Sequence, residues 1–228
     1  LEYKQVQDFV EFNICLDIFQ SVFVVFEKER ASKNQSRQVA ANHGQVSGWL
    51  WQHPDALNVV KTESLDDNWT VQFDPNWGGP ESAVFTKLVD WSQHKDKRIR
   101  YYAGKALYSK RFDFQYGVVE ADTERQPLFL DLGVVNDIAS VKLNGYSLGI
   151  VWTAPWRVDI TGLLQNKDNL LEIEVINQWP NRLIGDAALP KEQRLTNTNI
   201  AFKKDAPLLP SGLLGPVRIL RRTNNLKS

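Results

Sequence analysis

The chain has 228 residues, 27 basic and 27 acidic side chains, and a formal net charge of +0. That balance provides no electrostatic footprint for nucleic acid or an anionic membrane surface. Cys15 is the only cysteine, which excludes an intrachain disulfide, and no apolar run reaches the length of a membrane span.

Residues 8–18 alternate, with Val10, Phe12, Ile14, Leu16 and Ile18 on one face, and predict a strand. Within that run Cys15 reads as a small buried apolar residue rather than a nucleophile. Gln20-Ser21 permits a turn, and 22–26 (VFVVF) predicts a second, more buried strand. A two-stranded ribbon is not stable alone in water, so these strands are expected to complete a larger sheet. The polar, unpatterned stretch 27–47 reads as a loop or linker, and 48–63 holds enough apolar residues for a strand or two.

A new unit is expected from about residue 65. Trp69, Val71 and Phe73 alternate as a strand, and Asp74 to Gly79 is rich in turn formers. Pro80 sits where a first helical residue would, and Val84, Phe85, Leu88 and Trp91 follow at helical spacing. This segment predicts the one short helix of the chain.

Beyond it, strands are predicted at 98–102, 105–114, 117–121, 127–132, 138–143, 146–152, 156–160, 169–177 and 216–221. Asn144-Gly145 joins two of them and suits a type I′ turn, in which both central residues need positive φ. In 170–177 Leu171, Ile173 and Val175 should face inward, and Glu172 and Glu174 outward. Many short strands with little helix predict a mostly β fold, a sandwich or jelly roll. The expected division is an N-terminal β segment with polar linker at 1–64, the end of an upstream β domain, and the jelly roll at 65–228.

Candidate chemistry is sparse. Glu172 with Glu174, and Asp66 with Asp67, are the nearest approaches to the carboxylate pair that glycosidic hydrolysis needs, and both read as solvated surface. No catalytic residue is nominated. His43, His53 and His94 are scattered, with no ligand spacing for zinc, so no metal residue is nominated either. A structural calcium bound by loop oxygens needs no tight motif and stays open. The acidic turn Glu120, Asp122 and Glu124 reads as an exposed loop.

The aromatic segments carry more. Trp152, Trp156 and Arg157 flank a proline, and Trp179, Asn181 and Arg182 form a Trp-Pro-Asn-Arg run. Sugar recognition uses aromatic faces against C–H patches, with Asn or Arg on the hydroxyls. The same rings serve equally in a core or against a neighbouring domain, and packing is the favoured reading of the two.

The segments YYAGKALYSKRFDF (101–114), LDLGVVNDIASVKLNGYSLGIVWTAPWRVDIT (130–161), NLLEIEVINQWPNRLIGD (169–186) and PLLPSGLLGPVRIL (207–220) resemble the C-terminal region of α-L-rhamnosidase-like proteins of glycoside hydrolase family 106. That family is common in gut Bacteroidetes. The middle segment is also similar to the galactose-binding-like jelly roll of glycoside hydrolase family 2. The resemblance covers about residues 69–220. It implies a non-catalytic accessory region that scaffolds an upstream catalytic domain or binds oligosaccharide. The catalytic carboxylates, and any catalytic calcium, would lie in that upstream domain. It further implies that the chain alone is inert and that the parent degrades polysaccharide in the periplasm or outside a bacterial cell. A stand-alone carbohydrate-binding module and a protein–protein adhesion sandwich are the alternatives. Methionine is absent even at position 1, which is expected of a segment of a longer product. No signal-peptide pattern is present, and in a fragment that says nothing about export of the parent.

Overall fold

The computed structural model describes residues 3–6, 9–12, 59–115 and 127–222. The chain divides into two units, Leu1–Asn58 and Val59–Ser228. In the first, β1 (Tyr3–Val6) and β2 (Phe9–Phe12) form an antiparallel ribbon with Tyr3 opposite Phe12. The strand expected at 8–18 therefore includes β2. Its remainder with Cys15, the strand at 22–26, the loop at 27–47, His43, His53, the strand at 117–121 and the acidic turn at 120–124 lie outside the described residues.

The second unit contains β3 (Val59–Ser64), β4 (Asp67–Phe73), β5 (Ser82–Lys87), α1 (Lys97–Arg100), β6 (Lys105–Phe112) and β7 (Leu128–Asp131). It continues with β8 (Val134–Asn136), β9 (Ile138–Leu143), β10 (Tyr146–Val151), β11 (Arg157–Asp159), β12 (Asn169–Ile176), α2 (Pro180–Ala187), β13 (Gly212–Gly215) and β14 (Arg218–Arg222). A six-stranded sheet runs in the order β10-β9-β12-β6-β4-β5, and a four-stranded sheet in the order β11-β7-β14-β3. Neighbouring strands in both are antiparallel. β8 and β13 form a small third pair. The sandwich takes in β3, which precedes residue 65 and pairs with β14 from the far end of the chain, Ser64 opposite Arg218.

The two larger sheets share one core. Val71, Val141, Ile173 and Tyr108 come from the large sheet, and Leu128, Leu130, Val158 and Ile219 from the small one. Along β12 Leu171, Ile173 and Val175 are buried while Glu172 and Glu174 keep partial exposure, as the alternation predicts. Burying each of those three side chains stabilises the fold by roughly 2 kcal/mol. At one edge Phe73, Phe85, Trp91, Tyr102 and Tyr108 make tilted, edge-to-face and stacked ring contacts. The buried Trp91 Nε1 donates to Tyr108 Oη at 2.6 Å, which satisfies the polar end of each ring. Asn144 and Gly145 take φ of 51° and 82°, so the β9–β10 hairpin has the expected turn. The second unit is thus mostly β, a two-sheet sandwich consistent with a jelly roll.

The helices fall elsewhere than their sequence signals. The helix expected from Pro80 to Trp91 is instead β5, an edge strand paired with β4, Trp69 opposite Phe85. Its residues satisfy two periods at once: Phe85 points into the core and Val84 out, while Leu88 and Trp91 reach the core after the strand has ended. Pairing with β4 supplies backbone hydrogen bonds that decide between the two patterns. The strand expected at 98–102 is instead α1, one turn started by Asp96, whose Oδ1 accepts from the Arg98 amide at 2.8 Å. The second helix, α2, begins at Pro180 in the Trp-Pro-Asn-Arg run. Among the described residues no helix is long and apolar enough to cross a membrane.

Candidate functional site

The loop between β10 and β11 carries Trp152 and Trp156. Trp152 is 58% exposed. Trp156 is half-buried against the core. Arg157 opens β11 directly opposite Asp131 of β7, and Arg218 of β14 stands opposite Asp131 on its other side. The nearly buried Asp131 carboxylate takes Arg157 at 3.2 Å, Arg218 at 3.1 Å and the Gly133 amide at 3.0 Å. Sheet register therefore puts Arg157 into a cross-strand charge row rather than into open solvent.

The second aromatic segment splits in the same way. Trp179 is 44% exposed and meets Trp77, 39% exposed, edge to face at 5.1 Å and 79°. Asn181 is 2% exposed. Its Nδ2 donates to the Leu209 carbonyl at 2.7 Å, and its Oδ1 accepts from the Leu209 amide at 2.8 Å. Arg182 lies one helical turn before Asp186, both buried, with 2.9 Å between Nη2 and Oδ1. Asp186 Oδ2 also accepts from the Thr196 amide at 2.8 Å and its hydroxyl at 2.7 Å. α2 is thus a clamp: Asp186 holds one foot of the loop 197–208 and Asn181 the other.

Of the six residues expected to form a binding or interdomain face, the three polar ones are committed to the domain's own structure. Trp156 is half committed to the core. Trp152 and Trp179 keep open surface. Trp77 was not foreseen. It sits in the 3-10 turn Pro75–Trp77, capped by Asp74, and a tryptophan inside a run of turn formers was the available signal.

Beside α2 lies a cleft of about 170 Å³. Asn177 and Asn181 help form its walls, and both amides are engaged: Asn177 donates to the Tyr102 carbonyl at 2.9 Å and accepts from the Gly104 amide at 2.9 Å. Asn136, Asp137, Gln178 and Ser211 line it with further polar groups, while Pro180, Leu209 and Pro210 provide apolar surface. Among the described residues the buried Asn136 Nδ2 meets no acceptor. Asn136 and Asp137 lie between two predicted strands with no motif around them, and Gln178 directly precedes the Trp-Pro-Asn-Arg run.

Three of the carboxylates read as surface, Glu174, Asp66 and Asp67, are engaged structurally. Glu174 pairs with Lys105 at 3.2 Å. Asp66 accepts from the Ser64 hydroxyl at 2.9 Å and from the Val217 amide. Lys110 hydrogen-bonds Asp67 and holds its carboxyl below the usual range. His94 stacks on Phe85 with 5.5 Å between ring centroids, and its Nδ1 accepts from the Asp96 amide at 3.0 Å. Among the described residues no group of three or more His, Cys, Asp or Glu is placed to hold a metal ion.

A family model described as glycosyl hydrolase 2 galactose-binding domain-like matches residues 68–206. A protein of Formosa agariphila named "Putative beta-glucuronidase" is 32% identical, in a match covering 82% of this chain and 19% of that protein. The solved rhamnosidase from Novosphingobium sp. PP1Y is 40% identical over 72% of this chain and 15% of its own, with a TM-score of 0.63. The chain thus spans less than a fifth of the length of these two relatives. With its two-sheet sandwich and this match over most of the second unit, the chain belongs to the glycosyl hydrolase 2 galactose-binding domain-like family.

Proposed function

We propose that this chain is a non-catalytic, C-terminal accessory region of a larger α-L-rhamnosidase-like glycoside hydrolase of family 106, and that its jelly roll scaffolds the catalytic domain of the same polypeptide. One observation carries the reading: Arg157, Asn181 and Arg182 are used internally, while Trp152 and Trp179 stay exposed. Exposed tryptophans whose neighbouring polar side chains are already engaged within the domain suit docking against protein better than gripping hydroxyls. The 40% identity to a rhamnosidase supports the choice of parent. On this reading the catalytic carboxylates lie upstream, the chain needs no cofactor, and the parent works on polysaccharide in the periplasm or outside a bacterial cell.

The 228-residue chain should give no turnover of a chromogenic α-L-rhamnoside; measurable turnover would overturn the reading. In the full polypeptide, Trp152→Ala with Trp179→Ala should lower the melting temperature of the catalytic domain. An unchanged melting temperature would sink the scaffold role.

A second reading, carbohydrate binding by the domain itself, is favoured by the polar-lined cleft beside α2.

A further inference from the structure

We propose that Arg157 and Arg218 together form a receiving site for a carboxylate, and that an aspartate or glutamate side chain of the catalytic domain fills it. The proposal rests on the scaffold reading above and names the chemistry of the contact.

Arg157, Asp131 and Arg218 are register neighbours across β11, β7 and β14. The next row, Val158, Leu130 and Ile219, faces the core, so the charged row points away from it. Both guanidiniums donate through Nη2 to the same oxygen, Asp131 Oδ2, at 3.2 and 3.1 Å, while Oδ1 takes the Gly133 amide. One carboxylate thus serves two cations, and the row keeps one positive charge in excess. Among the described residues no second carboxylate pairs with either arginine. Asp159, on the same face of β11, accepts from the Thr161 amide at 2.8 Å, and Asp66 from the Ser64 hydroxyl and the Val217 amide.

The donors left for a partner are the Nη1 groups. The Nε of each arginine is buried and unpartnered, whereas its Nη1, also without an acceptor among the described residues, is not buried. The Arg157 side chain is 19% exposed and that of Arg218 38%, so a partner can reach both. Two guanidiniums beside one carboxylate repel each other. A second carboxylate seated on the Nη1 ends offsets that repulsion and adds charge-assisted hydrogen bonds. A free acid gains too little from a half-exposed ion pair to bind well. A carboxylate on a linked domain arrives at an effective concentration of about millimolar. In both relatives more than four fifths of the polypeptide lies outside the matched region, which leaves ample chain to carry it.

The test makes Arg218→Gln in the 228-residue chain and in the full polypeptide. Arg157 still pairs with Asp131 in this variant, so the 228-residue chain should keep its melting temperature within about 1 °C. In the full polypeptide the melting temperature of the catalytic domain should fall by about 2 °C or more at low salt, and by less in about 0.5 M NaCl. Arg218→Lys keeps the charge without the planar fork and should recover about half of the fall. A fall of the same size in both proteins assigns Arg218 to Asp131 alone and overturns the proposal. No fall in the full polypeptide overturns it too. The scaffold reading is then judged separately by Trp152→Ala with Trp179→Ala, which leaves both arginines in place. Saturable binding of D-glucuronate to the 228-residue chain, lost in Arg218→Gln, would make the occupant a sugar acid and overturn the protein side chain.

Discussion

The Asn144 side chain reaches from the β9–β10 turn to Asn169 at the start of β12, its Nδ2 donating to Asn169 Oδ1 at 2.9 Å. Asn169 is fully buried, and its Oδ1 also accepts from the Gln165 amide at 2.7 Å. Its Nδ2 donates to the carbonyls of Gln165 at 2.6 Å and Phe112 at 3.3 Å. Asn144 Nδ2 also donates to the Leu163 carbonyl at 2.9 Å, and its Oδ1 accepts from the Leu170 amide at 2.9 Å. Two amides thus pin a hairpin, a loop and the central strand of the large sheet together. Asn169→Ala removes the fully buried amide that serves the Gln165 amide and carbonyl, the Phe112 carbonyl and the Asn144 side chain, and should cost about 3 kcal/mol. Urea unfolding checks this; a loss under about 1 kcal/mol would show that water replaces the amide.

Tyr108 Oη accepts from Trp91 Nε1 at 2.6 Å and from the Leu213 amide at 3.2 Å. Tyr108→Phe keeps the ring but strands two buried donors, and should destabilise by about 2–4 kcal/mol. Burial pushes the phenol well above its ordinary value of 10.0. The neutral form is therefore favoured by folding. Its contribution is fully present below pH 10.0 and fades as pH rises through the folded value. Absorbance at about 295 nm, a tyrosinate band, should show Tyr108 titrating only when the chain unfolds.

Arg182 and Asp186 lie in the interior of the α2 clamp. Asp186→Ala leaves a buried guanidinium without its counter-charge and should cost about 3–5 kcal/mol. Replacing both, with Arg182→Met and Asp186→Leu, should cost less than the single change, because no buried charge is left unpaired. Either variant frees Thr196, so limited proteolysis should cut within the loop 197–208 faster than in the parent chain. Equal cleavage rates would show that Asn181 alone holds the loop.

The two tryptophans of the β10–β11 loop should separate in melts. Trp152→Ala removes an exposed ring and should stay within about 0.5 kcal/mol. Trp156→Ala opens space against the core and should cost about 2–3 kcal/mol.

Acid should weaken the fold through two surface pairs. The hydrogen bond from Lys110 holds Asp67 below its ordinary 3.8, and the hydrogen bond from Arg98 does the same for Asp96. A carboxyl lowered in the folded state stabilises above the unfolded value and loses that contribution as pH falls through the folded one. The loss therefore falls below pH 3.8, and it is small because both groups are near solvent. Asp96→Asn and Asp67→Asn should each flatten the melting-temperature profile there and leave it parallel above pH 5. A steeper profile in either variant would contradict the assignment.

Apart from β8, which no predicted strand covered, the strands from Leu128 to Ile176 were legible because alternation, a two-residue turn and the inward apolar stripe agree with one another. The segment 80–102 was not. Val84, Phe85, Leu88 and Trp91 fit helical spacing as well as they fit an edge strand followed by a loop, and the Asp96 cap outweighed the alternation of 98–102. At the site, the aromatic residues announced themselves by type. The role of Asn181 depends on Leu209, and that of Arg157 on Asp131 and Arg218, so no local pattern could assign them, whereas Arg182 pairs with Asp186 at i,i+4, a spacing that becomes a contact only once α2 is recognised as a helix.

By itself the sequence determined the class of fold: a neutral, strand-rich chain with an Asn-Gly hairpin closes into a sandwich because period-two alternation leaves every strand one apolar face to bury. Only the tertiary structure decided which of its conspicuous side chains are free. Hydrogen bonding and charge pairing across the fold draw Asn181 and Arg157 inward, the turn of α2 brings Arg182 onto Asp186, and Trp152, Trp179 and the cleft at Asn136 and Asp137 are left to meet whatever binds.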